Sequence, residues 1–296
     1  MSSIDNWSIM FLSESKNITF LSKTSFILST LGMAFSILSM MMLILTTILF
    51  SEWRHSYKNQ LLLQFMLARF IFSFVRYFYD LIKYLKICTE YFNPIYLGQF
   101  PLAYTEMALV TWMFVFSKQM HDSLVRVFNT ESTDLLKVSL AAWLIPGALS
   151  IITFLIFNMQ IGKEIQIYVI YLFLIKWPTL CVNGILLISS LRSVINTNTS
   201  KTENNPRIIL VMIILLFTFS IQQAATDFHK LAFIIFHFED FTPGVPLFFV
   251  FTNIFSIYHC TISILFWLFG NKRTRVLWGF SNYRKQSEQS SCSTIS

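Results

Sequence analysis

Charge is scarce in this 296-residue chain: Asp, Glu, Lys and Arg make up only 12% of it. An ordinary soluble domain carries about 25%. Hydrophobic residues reach 55%, aromatics 17%, and Phe alone occurs 32 times. A water-soluble fold of this size has too much exterior to cover with so few polar groups, which excludes a soluble enzyme, a disordered chain and a nucleic-acid-binding domain. Glycine and proline are also sparse, at 8 and 7, so long stretches run without a helix breaker. Cysteine is limited to Cys88, Cys181, Cys260 and Cys292, with no Cys-x-x-Cys pair. That spacing indicates neither a metal site nor a disulfide framework. A P-loop, an HExxH motif and a catalytic triad are all missing, so the sequence implies no catalysis, no cofactor and no metal. His237 and Glu239 are the nearest approach to a ligand pair, and a loop at the membrane interface accounts for them better.

What is present is a series of long apolar runs. A membrane helix needs about 20 mostly apolar residues. Seven segments qualify: about 25–50, 60–84, 100–120, 138–158, 167–191, 207–228 and 244–269. Unbroken runs such as SMMMLILTTILF suit helices, whose backbone bonds close within the segment, and not the alternating strands of a barrel. The expected fold is an all-α membrane protein, a seven-transmembrane helix bundle over 25–270. It is preceded by an extracellular tail, 1–24, and followed by a cytoplasmic amphipathic helix and disordered tail, 271–296. The first 24 residues lack a signal-peptide pattern, so the first span is expected to remain. The apolar stretch 230–238 either extends the sixth helix or lies at the interface; the charges around it favour the interface.

The net charge of +7 gives the orientation. With the N-terminus outside and the C-terminus cytoplasmic, the inner set includes Arg54, Arg126, Arg192, Arg207, Lys272 and Arg273. Inner cations then outnumber the outer set of Lys16, Lys23, Lys83, Lys86, Lys163 and Lys230 by about two to one, as the positive-inside rule requires. The sequons at Asn6 and Asn17 fall in the outer tail and are candidate glycosylation sites. The basic segment 271–285 places Val276, Leu277, Trp278 and Phe280 at the acyl boundary.

Ionised residues within spans should face the interior or a wet cavity. At about 1.5 Å per residue, Arg76 in the second span, Glu106 in the third and Lys176 in the fifth fall at similar depths in the outer half. Gln223 in the sixth lies close by. These four are expected to line a ligand cavity, or alternatively Arg76 and Glu106 simply pair and hold two helices together. Arg69 lies deeper and should snorkel or pair with Gln64 or Asn183. Pro146 and Pro178 each remove an amide and are expected to kink their helices.

Several local patterns resemble the secretin and adhesion-like (class B) G protein-coupled receptors. The first two spans carry Ser36 and Ser39, then Arg54, Asn59 and Arg69, the last one place from the family register. Trp112 and Met113 match the family's Trp-Met stretch, with Phe116 and Ser117 where Glu and Gly are usual. Trp143 and Pro146 keep the spacing of its Gly-Trp-Gly-x-Pro. The seventh span resembles the family's final helix, with Tyr258 and His259 in place of Gln and Gly. The family's outer disulfide has no cysteines here, and its large ectodomain is replaced by a short tail like that of nematode-type chemosensory receptors. The resemblance implies a chemosensory or orphan receptor in the plasma membrane. It would bind a small-molecule or peptide ligand outside, through Arg76, Glu106, Lys176 and Gln223. Its inner partner would be a heterotrimeric G protein, met by Arg54, Arg126, Arg192, Arg207, Lys272 and Arg273, and lipid would surround it. A transporter or channel with a polar path, and a non-signalling structural membrane protein, are the competing readings.

Overall fold

Long intervals without glycine or proline become long helices. The computed structural model describes residues 2–85, 94–125, 134–159, 170–196, 206–236, 244–270 and 272–279, and these are almost wholly helical. In chain order the helices are α1 Ser2–Leu49, α2 Ser51–Arg54, α3 Tyr57–Leu85, α4 Pro94–Val125, α5 Leu135–Met159, α6 Trp177–Asn196, α7 Pro206–Phe236, α8 Gly244–Gly270 and α9 Lys272–Leu277. A π-helical turn, Leu172–Lys176, leads directly into α6. Among the described residues, four stretches are long and apolar enough to cross a membrane: Phe26–Leu49, Tyr57–Tyr79, Leu135–Leu155 and Leu172–Ile195.

Two boundaries differ from the sequence expectation for one physical reason. Backbone helix occupies most of the expected N-terminal tail, because no Gly or Pro interrupts the chain between Ser2 and Leu31. Likewise the apolar stretch after Lys230 continues α7 as far as Phe236 and is not a separate segment. No breaker occurs before Pro243, so the i→i−4 ladder simply continues.

Among the described residues seven helices reach 20 residues or more, and six of them, α1, α3, α4, α6, α7 and α8, close a cycle of contacts while α5 packs on α4 and α3. α1 packs on α3 and α8, α7 on α6 and α8, and α4 touches α3, α5 and α6. α4 is the centre: from Thr105 to Val110 every residue is buried, as are Trp112, Met113, Phe116 and Ser117. A helix covered on so many sides needs neighbours all round it.

Close contacts fix the α1–α8 seam. A Cβ on Gly32 would stand 2.9 Å from Ile257 Cγ2 and 3.0 Å from Tyr258 Cε2, so only glycine allows the two helices to approach this closely. Ser36 Oγ lies 2.9 Å from Thr261 Oγ1 and donates to the Ile257 carbonyl at 3.2 Å.

The turn between α1 and α3 is equally determined. Phe50 is extended and ends α1. Trp53 is buried, and the Asn59 amide donates to its carbonyl at 3.1 Å while Gln60 donates to the Arg54 carbonyl at 2.7 Å. The short α9 returns to the same corner. Trp278 Nε1 donates to Thr46 Oγ1 at 3.1 Å and the indole meets Phe50 edge-on at 5.6 Å. Trp278 was expected at the acyl boundary; it docks on the end of α1 because the indole N–H finds an acceptor there.

The exterior and interior are inverted relative to a soluble fold. Leu136 and Leu174 are more than 70% exposed, whereas Arg69, Lys176 and Asp227 are each 1% exposed.

Candidate functional site

The candidate site starts from a local backbone feature. Pro178 has no N–H, and its ring would clash with the Leu174 carbonyl in a regular α-helix. The chain widens just before it: the Trp177 N–H bonds to Leu172 O, five residues back. Such a π turn carries one extra residue and is one of the ordinary ways a proline is accommodated. The π turn lies immediately before Pro178, where the sequence leads to the expectation of a kink. α5, in contrast, runs on as helix through Pro146. Lys176 is the last residue of the π turn, and its side chain is turned fully into the bundle.

There it meets two carboxylates from two other helices. Lys176 Nζ donates to Glu106 Oε1 of α4 at 2.5 Å and to Asp227 Oδ1 of α7 at 2.6 Å. Lys176 and Asp227 side chains are 1% exposed, and Glu106 is 11% exposed. A buried charge is tolerated only when paired and hydrogen-bonded; each member of this triad supplies that condition for the others. One ammonium therefore ties α4, α6 and α7 at a single point.

Seven residues along each of these helices, two turns or about 10.5 Å, lie Met113, Asn183 and Ser220. Ser220 Oγ reaches Met113 Sδ at 3.5 Å, so α4 and α7 also touch at this second level and run in opposite directions. Asn183 is fully buried there, and both its amide atoms lack a hydrogen-bond partner among the described residues.

A second polar cluster joins α3, α7 and α8. The Arg69 guanidinium bonds to His259 Nδ1 and lies over the Phe219 ring, 4.1 Å from its centroid. His259 Nε2 is 3.2 Å from Thr218 Oγ1, and Ser263 Oγ is 3.2 Å from His259 Nδ1. Arg69 was expected to meet Gln64 or Asn183. Gln64 instead accepts from Trp143 Nε1 at 3.1 Å, and the imidazole of α8 serves Arg69. Thr218 stands nine residues from Asp227 on α7, so the two clusters are separated by about 13 Å along that helix.

The four expected ligand residues are thus distributed as follows. Glu106 and Lys176 are in direct contact. Gln223 is buried one turn from Asp227 on α7. Arg76 is half-buried on α3. Asp227 is not among the site residues expected from the sequence. Its signal was available: it falls four residues after Gln223, on the same helical face. His259 appeared only as a departure from a family pattern, yet it is the partner of Arg69.

Of the basic residues expected to face an inner partner, Arg54 and Arg192 are exposed. Arg126 lies outside the described residues, as do the side chains of Arg207, Lys272 and Arg273. The side chains of the sequon residues Asn6 and Asn17, and the His237–Glu239 segment, are also outside them.

No known family model matches this chain, and no curated protein matches it.

Proposed function

We propose that this chain is a G protein-coupled receptor of the plasma membrane. It crosses the bilayer seven times, with the N-terminus outside and the C-terminus in the cytoplasm. The observation that carries the reading is the buried Lys176–Glu106–Asp227 triad, which joins three helices of a bundle with many exposed large hydrophobic residues. Charges in such a bundle cost several kcal/mol unless they have a partner, and intramembrane ionisable groups are functional candidates on that ground. The triad joins α4, whose middle is buried, to α6 and α7, the two helices whose separation would open an inner face.

In this reading the triad, Gln223 and Arg76 form the outer ligand site. Binding there favours an arrangement in which the opposite ends of α6 and α7 accept a heterotrimeric G protein. Arg54 and Arg192, together with Arg126, Arg207, Lys272 and Arg273, supply the positive charge of that inner face. The ligand is a small molecule or a peptide. The class B resemblance around Trp112, Trp143 and Asn59 supports a receptor over a transporter.

Ligand-dependent nucleotide exchange tests the proposal. The purified chain in nanodiscs is mixed with a panel of heterotrimeric G proteins and a chemically diverse ligand library. Accelerated GTP uptake that disappears in Glu106→Gln or Lys176→Met supports it. Solute flux through reconstituted vesicles, with no exchange on any G protein, would replace it with the transporter reading.

A further inference from the structure

We infer that the Arg69 cluster is a binding site for a small monovalent anion of chloride size, taken up by the guanidinium and Ser73. The inference goes beyond the receptor reading and needs neither its ligand nor a G protein.

The cluster carries a positive charge and no negative one. Arg69 is 1% exposed, and a guanidinium stays protonated in proteins. Among the described residues, no carboxylate lies within ion-pair distance of it. The buried carboxylates of Glu106 and Asp227 are both bonded to Lys176, and Asp227 is about 13 Å along α7 from Thr218, too far for a contact pair. The Phe219 ring covers the guanidinium at 4.1 Å, but a ring quadrupole offsets only part of a buried charge. A cation taken out of water needs a counter-charge as well as hydrogen bonds.

The protons of the cluster can be assigned one by one. Arg69 can only donate, so His259 Nδ1 accepts from it and carries no proton. The imidazole is therefore neutral, and its Nε2–H donates to Thr218 Oγ1 at 3.2 Å. Thr218 passes its own proton to the Leu215 carbonyl at 2.9 Å. Ser263 gives its proton to the His259 carbonyl at 2.7 Å. Every acceptor in this chain is used, and His259 adds no charge. The cluster as a whole is short of acceptors and short of one negative charge.

Two donors remain unused on one face of α3. Arg69 Nε and Ser73 Oγ are buried and have no hydrogen-bond partner among the described residues. Ser73 is 2% exposed and lies four residues after Arg69 in α3, a spacing that puts the two side chains on the same side of the helix, one turn apart. A single anion accepting from both supplies the absent acceptor and the absent charge together. Water supplies only the first. A cation is repelled by the guanidinium, and a divalent oxyanion brings more charge than one arginine offsets. A halide-sized ion needs no donor in return and is the chemistry that fits.

The test is anion-dependent stability of the full chain in nanodiscs. Thermal unfolding is followed by tryptophan fluorescence in sodium gluconate, with chloride or bromide replacing gluconate at constant ionic strength so that screening does not change. The midpoint is expected to rise with either halide, and above the dissociation constant each tenfold increase in concentration adds an equal increment. Arg69→Met is expected to abolish the response. Should Arg69→Met fail to fold, Ser73→Asp places a carboxylate one turn from the guanidinium as a built-in counter-charge, and its midpoint is expected to be independent of halide. Crystals of the parent grown in bromide should show an anomalous peak against Arg69 and Ser73. A parental midpoint indifferent to halide overturns the site. So does a halide response that survives in folded Arg69→Met or Ser73→Asp, or bromide found only elsewhere on the chain.

Discussion

Replacing Lys176 by Met separates the triad's ionic contribution from its packing. Met is of similar length and keeps the space filled, so the change removes the ammonium and little else. It leaves Glu106 and Asp227 without the ammonium that joins them, the second with 1% of its side chain exposed. Removing one partner of a buried ion pair costs about 3–5 kcal/mol, because the remaining charge has no solvent to turn to. Two carboxylates lose their shared partner here, so the upper end of that range applies. The triple variant Glu106→Leu, Lys176→Met, Asp227→Leu removes the charges together. Full apolar replacement of a buried ionic cluster is neutral or stabilises by about 1–4 kcal/mol. Thermal unfolding of the parent, single and triple variants in nanodiscs, followed by tryptophan fluorescence, is the assay. The order expected is triple equal to or above parent, with the single variant well below both. A single variant as stable as the parent would refute the claim that these charges depend on each other. So would a triple variant as unstable as the single one.

Other parts of the bundle give independent expectations. His259→Phe removes the Arg69 partner but keeps a ring beside Phe219, and should cost about 1.5–3 kcal/mol, the worth of a hydrogen bond to a charged group, in the same unfolding assay. Asn183→Leu should stabilise by about 1–3 kcal/mol, since both amide atoms are buried without a partner among the described residues; a loss of stability would contradict this. Gly32→Val should destabilise by about 1–3 kcal/mol or more, because its Cβ alone would stand 2.9 Å from Ile257, and unfolding of the variant beside Gly184→Ala, whose Cβ meets nothing within 4 Å, is the comparison.

The sequence made the helices legible because composition and the rarity of Gly and Pro act locally. Every expected span overlaps one long helix of the structure. Boundaries were less legible: the polar tail and the Lys230–Phe236 stretch look different from the spans they adjoin, yet no breaker ends either helix. The depth argument placed Glu106 and Lys176 at one level, and they are bonded. Which third group joins them depends on the rotation of α6 and α7 about their axes. That rotation is set in part by the π turn at Leu172–Lys176, and a single extra residue of winding leaves no periodic mark in the sequence. Pro178 signalled a distortion there but not its form. Arg69 illustrates the same point, since its partner His259 is 190 residues away, and only the closure of α8 onto α3 brings them together. The α1–α3 corner depends on Trp53, Asn59 and Gln60 bonding across a short turn, a pattern of local contacts that hydropathy does not report.

The central claim is an odd number of crossings with the amino end outside. Epitope tags at the two termini, probed by antibody in intact and then permeabilised cells, test it most directly. The N-terminal tag should be stained in intact cells and the C-terminal tag only after permeabilisation. Staining of both tags in intact cells, or of neither, would contradict the account.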